Sequence, residues 1–182
     1  TPLRGHMSDF DFKALFVAAL PSLPSGLDVQ LDEFIFWEPG QLPLMAEEDA
    51  EFLVEQGLPD SAAPFLSFAV YSGTEATRRR AIFGVADHYF PLGHTGSGDV
   101  LALDSQTREV VYFNHDFNNQ RVFINATLQL FAQCLCVFQQ HLRDSTMARC
   151  LDEIGRIDPV AAAAGSMWAE EVSAELVDTG EP

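Results

Sequence analysis

Three histidines carry the residue types from which a metal or acid–base centre could be made. His88, His94 and His115 fall in or beside apolar runs, with Asp99 and Asp116 as candidate fourth partners, and imidazoles with a carboxylate are a common zinc ligand set. Their spacings match no zinc motif, and imidazoles at strand ends need no function, so neither a metal nor another cofactor is expected. Cys134 and Cys136 lie two apart on a predicted helix, about 200° around its axis, which keeps them from clamping one ion. With Cys150 they make an odd total of three. Apolar surroundings favour inert core thiols over thiolate nucleophiles, and a reducing cytoplasm suits them.

The run Gly93-His94-Thr95-Gly96-Ser97-Gly98 lacks the Lys-Ser/Thr ending of a phosphate-binding loop and reads as a flexible turn between strands. Arg78, Arg79 and Arg80 are the one dense basic cluster, expected on a loop where they are solvated or paired with nearby acids. Asn125-Ala126-Thr127 matches a glycosylation sequon, which a cytoplasmic chain leaves unused.

Charge is the stronger signal. Against 10 Lys and Arg stand 27 Asp and Glu, a formal net charge of −17. Such a surface repels phosphate, which argues against binding nucleic acid or an anionic membrane. No apolar run approaches the roughly 18 residues of a membrane span, and the beginning of the chain lacks the basic-then-apolar pattern of a secretory signal. The excess is uneven. Residues 8–60 hold 12 acids and one lysine, 61–146 hold 7 acids and 6 arginines, and 147–182 hold 8 acids and 2 arginines.

Glu47, Glu48 and Asp49 are accounted for by the positive end of a helix dipole. Asp32, Glu33, Glu38, Glu51 and Glu55 crowd the same region without lysines. That crowding costs self-repulsion, which a basic partner would relieve while opposed charges speed encounter. The expected contact surface is therefore Asp32, Glu33, Trp37, Glu38, Glu47, Glu48, Asp49 and Glu51, with Trp37 as aromatic anchor.

These residues need a scaffold. Gly5, His6 and Met7 resemble a tag remnant, so residues 1–6 are set aside, 7–178 are expected to form one α+β domain and 179–182 a flexible tail. A length of 182 residues, 47% of them apolar and with 15 Phe, fills one core. Phe12, Leu15, Phe16 and Ala19 mark a short helix stopped by Pro21 to Gly26. Leu31 to Trp37 reads as a strand, and Glu47 to Gln56 as a helix closed by Gly57 and Pro59.

From Phe65 the period falls to two. Runs at 65–71, 81–86, 89–92, 100–103, 110–113 and 122–124 predict about six strands, and their short connections predict antiparallel pairing. Asp104 to Arg108 is the clearest hairpin loop. Asn125 reads as the cap of a helix whose stripe is Leu128, Phe131, Leu135, Phe138 and Leu142, and Trp168, Val172 and Leu176 mark a last helix. The sheet is expected to pack against the N-terminal and C-terminal helices.

Several segments together resemble a known family. Phe52-Leu53-Val54-Glu55-Gln56-Gly57-Leu58-Pro59, Gly98-Asp99-Val100-Leu101-Ala102-Leu103-Asp104 and Glu109-Val110-Val111-Tyr112-Phe113-Asn114-His115 stand in the order found in the SUKH superfamily of immunity proteins. Phe123-Ile124-Asn125-Ala126-Thr127-Leu128-Gln129-Leu130-Phe131, Ile157-Asp158-Pro159 and Trp168 extend the likeness, which is greatest to the fourth SUKH subfamily and spans about residues 45–177. The family's hairpin usually reads threonine-glycine, whereas Thr107 here precedes Arg108.

The resemblance implies an α+β fold and a bacterial, cytoplasmic, non-catalytic protein. Such a protein, a monomer or weak dimer, neutralises a cognate toxin, often a nuclease or nucleic-acid deaminase. A basic toxin surface would suit the acidity seen here. Two rivals remain: a small metal-dependent or His/Asp hydrolase using His88, His94, His115 and Asp116, and an adaptor on the same fold without a toxin.

Overall fold

A computed structural model describes residues 10–27, 29–31 and 33–180. The chain is α+β, with a six-stranded antiparallel sheet in sequential order and a separate two-stranded ribbon. The ribbon pairs β1 (Phe34–Ile35) with β2 (Leu58–Pro59). The main sheet runs β3 (Ser61–Ala62), β4 (Leu66–Phe68), β5 (Tyr89–His94), β6 (Val100–Asp104), β7 (Val110–Asn114) and β8 (Gln120–Asn125). Helices α1 (Phe12–Ala19), α4 (Leu128–Asp144), α5 (Cys150–Ile157) and α6 (Met167–Thr179) help to build the main core.

Alternation along the strands sorts side chains between two cores. Leu101 and Leu103 of β6 join Leu92, Val110 and Ile124 beneath the helices, against Phe131, Leu135, Phe138 and Trp168. Val100 and Ala102 of β6 turn to the other face, where Val85, Val111, Phe113 and the partly buried Tyr89 form a smaller cluster. Both faces of β6 are covered, so all five of its residues are buried.

Asp11 starts α1 by accepting from the Ala14 N–H at 3.0 Å. Phe12 and Phe16 face inward and meet the Phe34 ring edge-on at 5.4 and 5.8 Å. Leu15, expected on the same stripe, turns outward and is 49% exposed. In α4 the buried residues include Leu128, Phe131, Cys134, Leu135 and Phe138, whereas Leu142 lies at the rim.

Residues 81–86 are not a strand. They form the end of helix α3 (Gly73–Phe83) and the turn after it. Ser72 caps that helix by accepting from Glu75 N–H at 3.2 Å, and Gly84 closes it with φ of 63°. Good helix formers fill its middle, and Ile82 is 62% exposed, so the apolar run had no sheet face to bury. Ser61–Ala62 supplies the sixth strand instead.

Arg78 to Arg80 therefore lie on a helix, not on a loop. Arg79 pairs with Glu75 at 3.4 Å and covers the Tyr71 ring at 4.2 Å, while Arg80 lies 4.0 Å from Asp87.

Asn125 is not the cap of α4. That role belongs to Thr127, which accepts from Leu130 N–H at 3.2 Å. Asn125 ends β8 fully buried, taking a hydrogen bond from Trp168 Nε1 at 2.9 Å and giving one to Asp158 Oδ2 at 3.0 Å. Asp158 also accepts from Ala126 N–H at 2.9 Å. Three polar groups thus pin the sheet to α6 and to the end of α5. Among the described residues no helix is long and apolar enough to cross a membrane.

Candidate interaction surface

Helix α2 (Glu47–Glu51) continues as a π-helical turn through Phe52–Gln56 and is closed by Gly57 at φ of 68°. A Cβ at Gly57 would come within 2.4 Å of Ile35 O, so only glycine lets β1 pass. Phe52 and Leu53 anchor the inner face of this segment. Glu47 and Glu48 stay exposed and Glu51 half-buried.

The expected contact residues separate into two groups. Glu33, Glu38, Glu47 and Glu48 are exposed and Glu51 is partly so. Asp32 lies outside the described residues. Trp37 is 2% exposed and sits in the core, its backbone N–H donating to Leu53 O at 3.1 Å, so it presents no anchor to a partner.

Asp49 is likewise 2% exposed, held by Arg108 through Nε to Oδ2 and Nη2 to Oδ1, both at 3.0 Å. Burying it unpaired would be costly, so the sequence's acidic triplet divides into two exposed glutamates and one structural ion pair.

A different apolar residue is exposed on this stretch of chain. Leu44 is 96% exposed. With Leu42, Met45 and Val54 it lines a shallow cleft of about 340 Å³ edged by Glu51 and Glu55, and neither lysine nor arginine is among the lining residues. An apolar centre with a charged rim is the anatomy of a protein–protein contact. Leu44 stands among prolines, and only its exposure in the fold, not its residue type, could mark it.

The histidines do not converge. His88 precedes β5 and lies 4.0 Å from Asp104 at one end of the sheet, whereas His94 pairs in register with Val100 at the other. His115 is near that second end, with Nδ1 2.5 Å from Asp99 and Nε2 3.3 Å from Asp116. The hydrogen bond that the His115 ring donates to Asp99 chiefly, then the charge of Asp116, raises the His115 pKa against the opposing effect of desolvation. Among the described residues no group of three or more His, Cys, Asp or Glu is arranged to hold a metal ion.

Asp104 anchors the other end of the sheet. Burial pushes its carboxyl up, but hydrogen bonds from Gln106 N–H, Arg121 and Thr107 prevail and hold it below the usual carboxylate range. Arg121 bridges Asp104 at 3.1 Å and Glu109 at 2.5 Å and donates through Nε to the Tyr89 hydroxyl at 3.0 Å. Cys134, Cys136 and Cys150 are free, and burial pushes each thiol up to about 12. Their surroundings are those of core thiols, as the apolar stripe predicts.

A family model described as SUKH-4 immunity protein matches residues 32–175. No curated protein and no solved structure matches the chain.

Proposed function

The chain belongs to the SUKH-4 immunity protein family, a toxin-neutralising family, and from that premise we propose that it occludes a basic nuclease or nucleic-acid deaminase, acting as a monomer or weak dimer in the bacterial cytoplasm. A toxin that grips nucleic acid presents lysine and arginine to phosphate. A carboxylate-rich surface offers those side chains an alternative partner and steers the encounter through long-range attraction.

One observation carries the choice of surface: exposed Leu44 stands in a cleft edged by Glu51 and Glu55. Glu33, Glu38, Glu47 and Glu48 are exposed on the same stretch of chain. In this reading Leu44 is the desolvated centre of the contact and the glutamates are its rim. Trp37 and Asp49 support the surface from within. Neutralisation is steric, one inhibitor covering one toxin, and no residue of this chain performs a chemical step.

Co-expression with the cognate toxin tests the reading. Growth should be rescued by the wild-type chain and lost when Glu38, Glu47, Glu48 and Glu51 are together reversed to lysine. Affinity of the purified pair should fall steeply with salt. Rescue that survives the four reversals rejects the surface. A wild-type chain that neither rescues nor binds rejects the function.

A further inference from the structure

We propose that the tip of the β3–β4 hairpin, centred on Phe65, is a second docking surface, one that receives an apolar side chain flanked by lysine or arginine from a partner protein. Phe65 is 76% exposed and its φ is 62°. The left-handed region costs a residue with a Cβ about 1–2 kcal/mol, and an exposed ring regains little of that by burial. The chain therefore carries a strained aromatic that is of little use to its own core. The β5–β6 turn comes close enough that a Cβ on Gly96 would lie 2.9 Å from Phe65 Cβ, so Gly96 leaves room for the phenylalanine where it stands.

Two clefts flank the ring. One, of about 720 Å³, is mainly apolar, with Phe16, Leu20, Leu31 and Leu142 in its lining. The other, of about 410 Å³, contains Asp99, Asp116 and Glu171. Neither has a lysine or arginine in its lining, and the first adds Glu175. Asp99 is engaged by His115, but Glu171 is not compensated: desolvation first, then repulsion by Glu175 and Glu170, raises its pKa. A cation entering beside Phe65 would relieve that repulsion while an apolar neighbour fills the larger cleft.

This surface is distinct from the acidic face around Leu44. Gly96 and Asp99 precede β6, whereas Arg108, which holds Asp49, follows it. The five residues of β6 set the two ends apart by about 13 Å of strand. The inference does not require the Leu44 face to be the toxin contact.

The test is an amide-shift titration of the full chain by NMR. The probe is a capped Gly-Arg-Leu-Arg-Gly peptide, with Gly-Glu-Leu-Glu-Gly as its charge-reversed counterpart. The basic peptide should give saturable shifts centred on Phe65, Thr95, Asp116 and Glu171, and the acidic one none. Phe65→Gly removes the ring and also the backbone strain, so its thermal midpoint should be unchanged or higher while affinity drops by about tenfold or more. Glu171→Gln should weaken binding in the same direction. Equal binding of both peptides, undiminished affinity in Phe65→Gly, or no saturable shifts at the tip overturns the proposal.

Discussion

Arg108 reaches back across the fold from the β6–β7 turn to fork the carboxylate of Asp49, 59 residues earlier in the chain, and it does so from a left-handed backbone with φ of 70°. This is the position where the family's threonine-glycine pattern has its glycine. Here the turn keeps the conformation glycine favours, and the side chain that accepts the strain also neutralises a buried acid on α2. One residue thus sets a turn and fixes the helix that presents Glu47 and Glu48.

Replacing Arg108 separates those two roles. Arg108→Ala keeps most of the strain and leaves Asp49 buried without its partner, and should lower stability by about 2–3 kcal/mol. Arg108→Gly relaxes the turn by about 1 kcal/mol and should therefore be less harmful. Urea denaturation of both variants, with Asp49→Asn as the third corner, checks the order. Equal losses for alanine and glycine would show that the backbone contributes nothing.

The periodic parts of this fold were legible from sequence. The stripe of Leu128, Phe131, Leu135 and Phe138 keeps helical spacing over about three turns. Short apolar runs were not. Ala81 to Ala86 could be strand or helix by period alone, and the Ser72 cap decided the matter. The acidic surface was legible as composition but not as individual residues. Asp49 and Trp37 look like their neighbours, and what withdraws them is a hairpin and a core assembled from distant segments. Phe65 sits in an apolar run that reads as strand, and only its backbone torsion turns it outward.

Asn125 illustrates a polar group whose value is invisible locally. It joins Trp168 and Asp158 in a buried chain of hydrogen bonds, and Asn125→Ala leaves the indole N–H without its acceptor and Asp158 with the Ala126 N–H but without its side-chain donor. The expected loss is about 2–4 kcal/mol. Trp168→Phe, which removes the indole N–H but keeps an aromatic ring, should cost less than Asn125→Ala. Near-ultraviolet circular dichroism during thermal melting reports both. A melting point unchanged in Asn125→Ala would mean that water replaces the whole network.

The His115–Asp99 contact predicts a pH dependence with a definite sign. The folded-state pKa of His115 is raised above 6.5, so protonation favours the folded form. The contribution is complete below about 6.5, the unfolded value, and is lost as pH rises through the higher folded value. The stability difference between wild type and His115→Gln should therefore be larger in mildly acidic than in mildly alkaline buffer. A difference that grows with rising pH would reverse the assignment.

Charge reversal on α2 should distinguish surface from support. Glu47 is exposed, and Glu47→Lys gives up only a helix-terminal charge interaction of a few tenths to about 1 kcal/mol. If the toxin is basic, as proposed, the main effect of this reversal should be on the rate of association, slowed severalfold at low ionic strength and approaching wild type as salt screens the field. Asp49→Lys places a cation against Arg108 in a site 2% exposed, so it should fail by unfolding before its effect on binding can be read. Stopped-flow association alongside melting temperatures for the two variants separates the outcomes. If Glu47→Lys leaves the association rate unchanged at low salt while remaining folded, the attraction that guides the toxin arises elsewhere on the molecule.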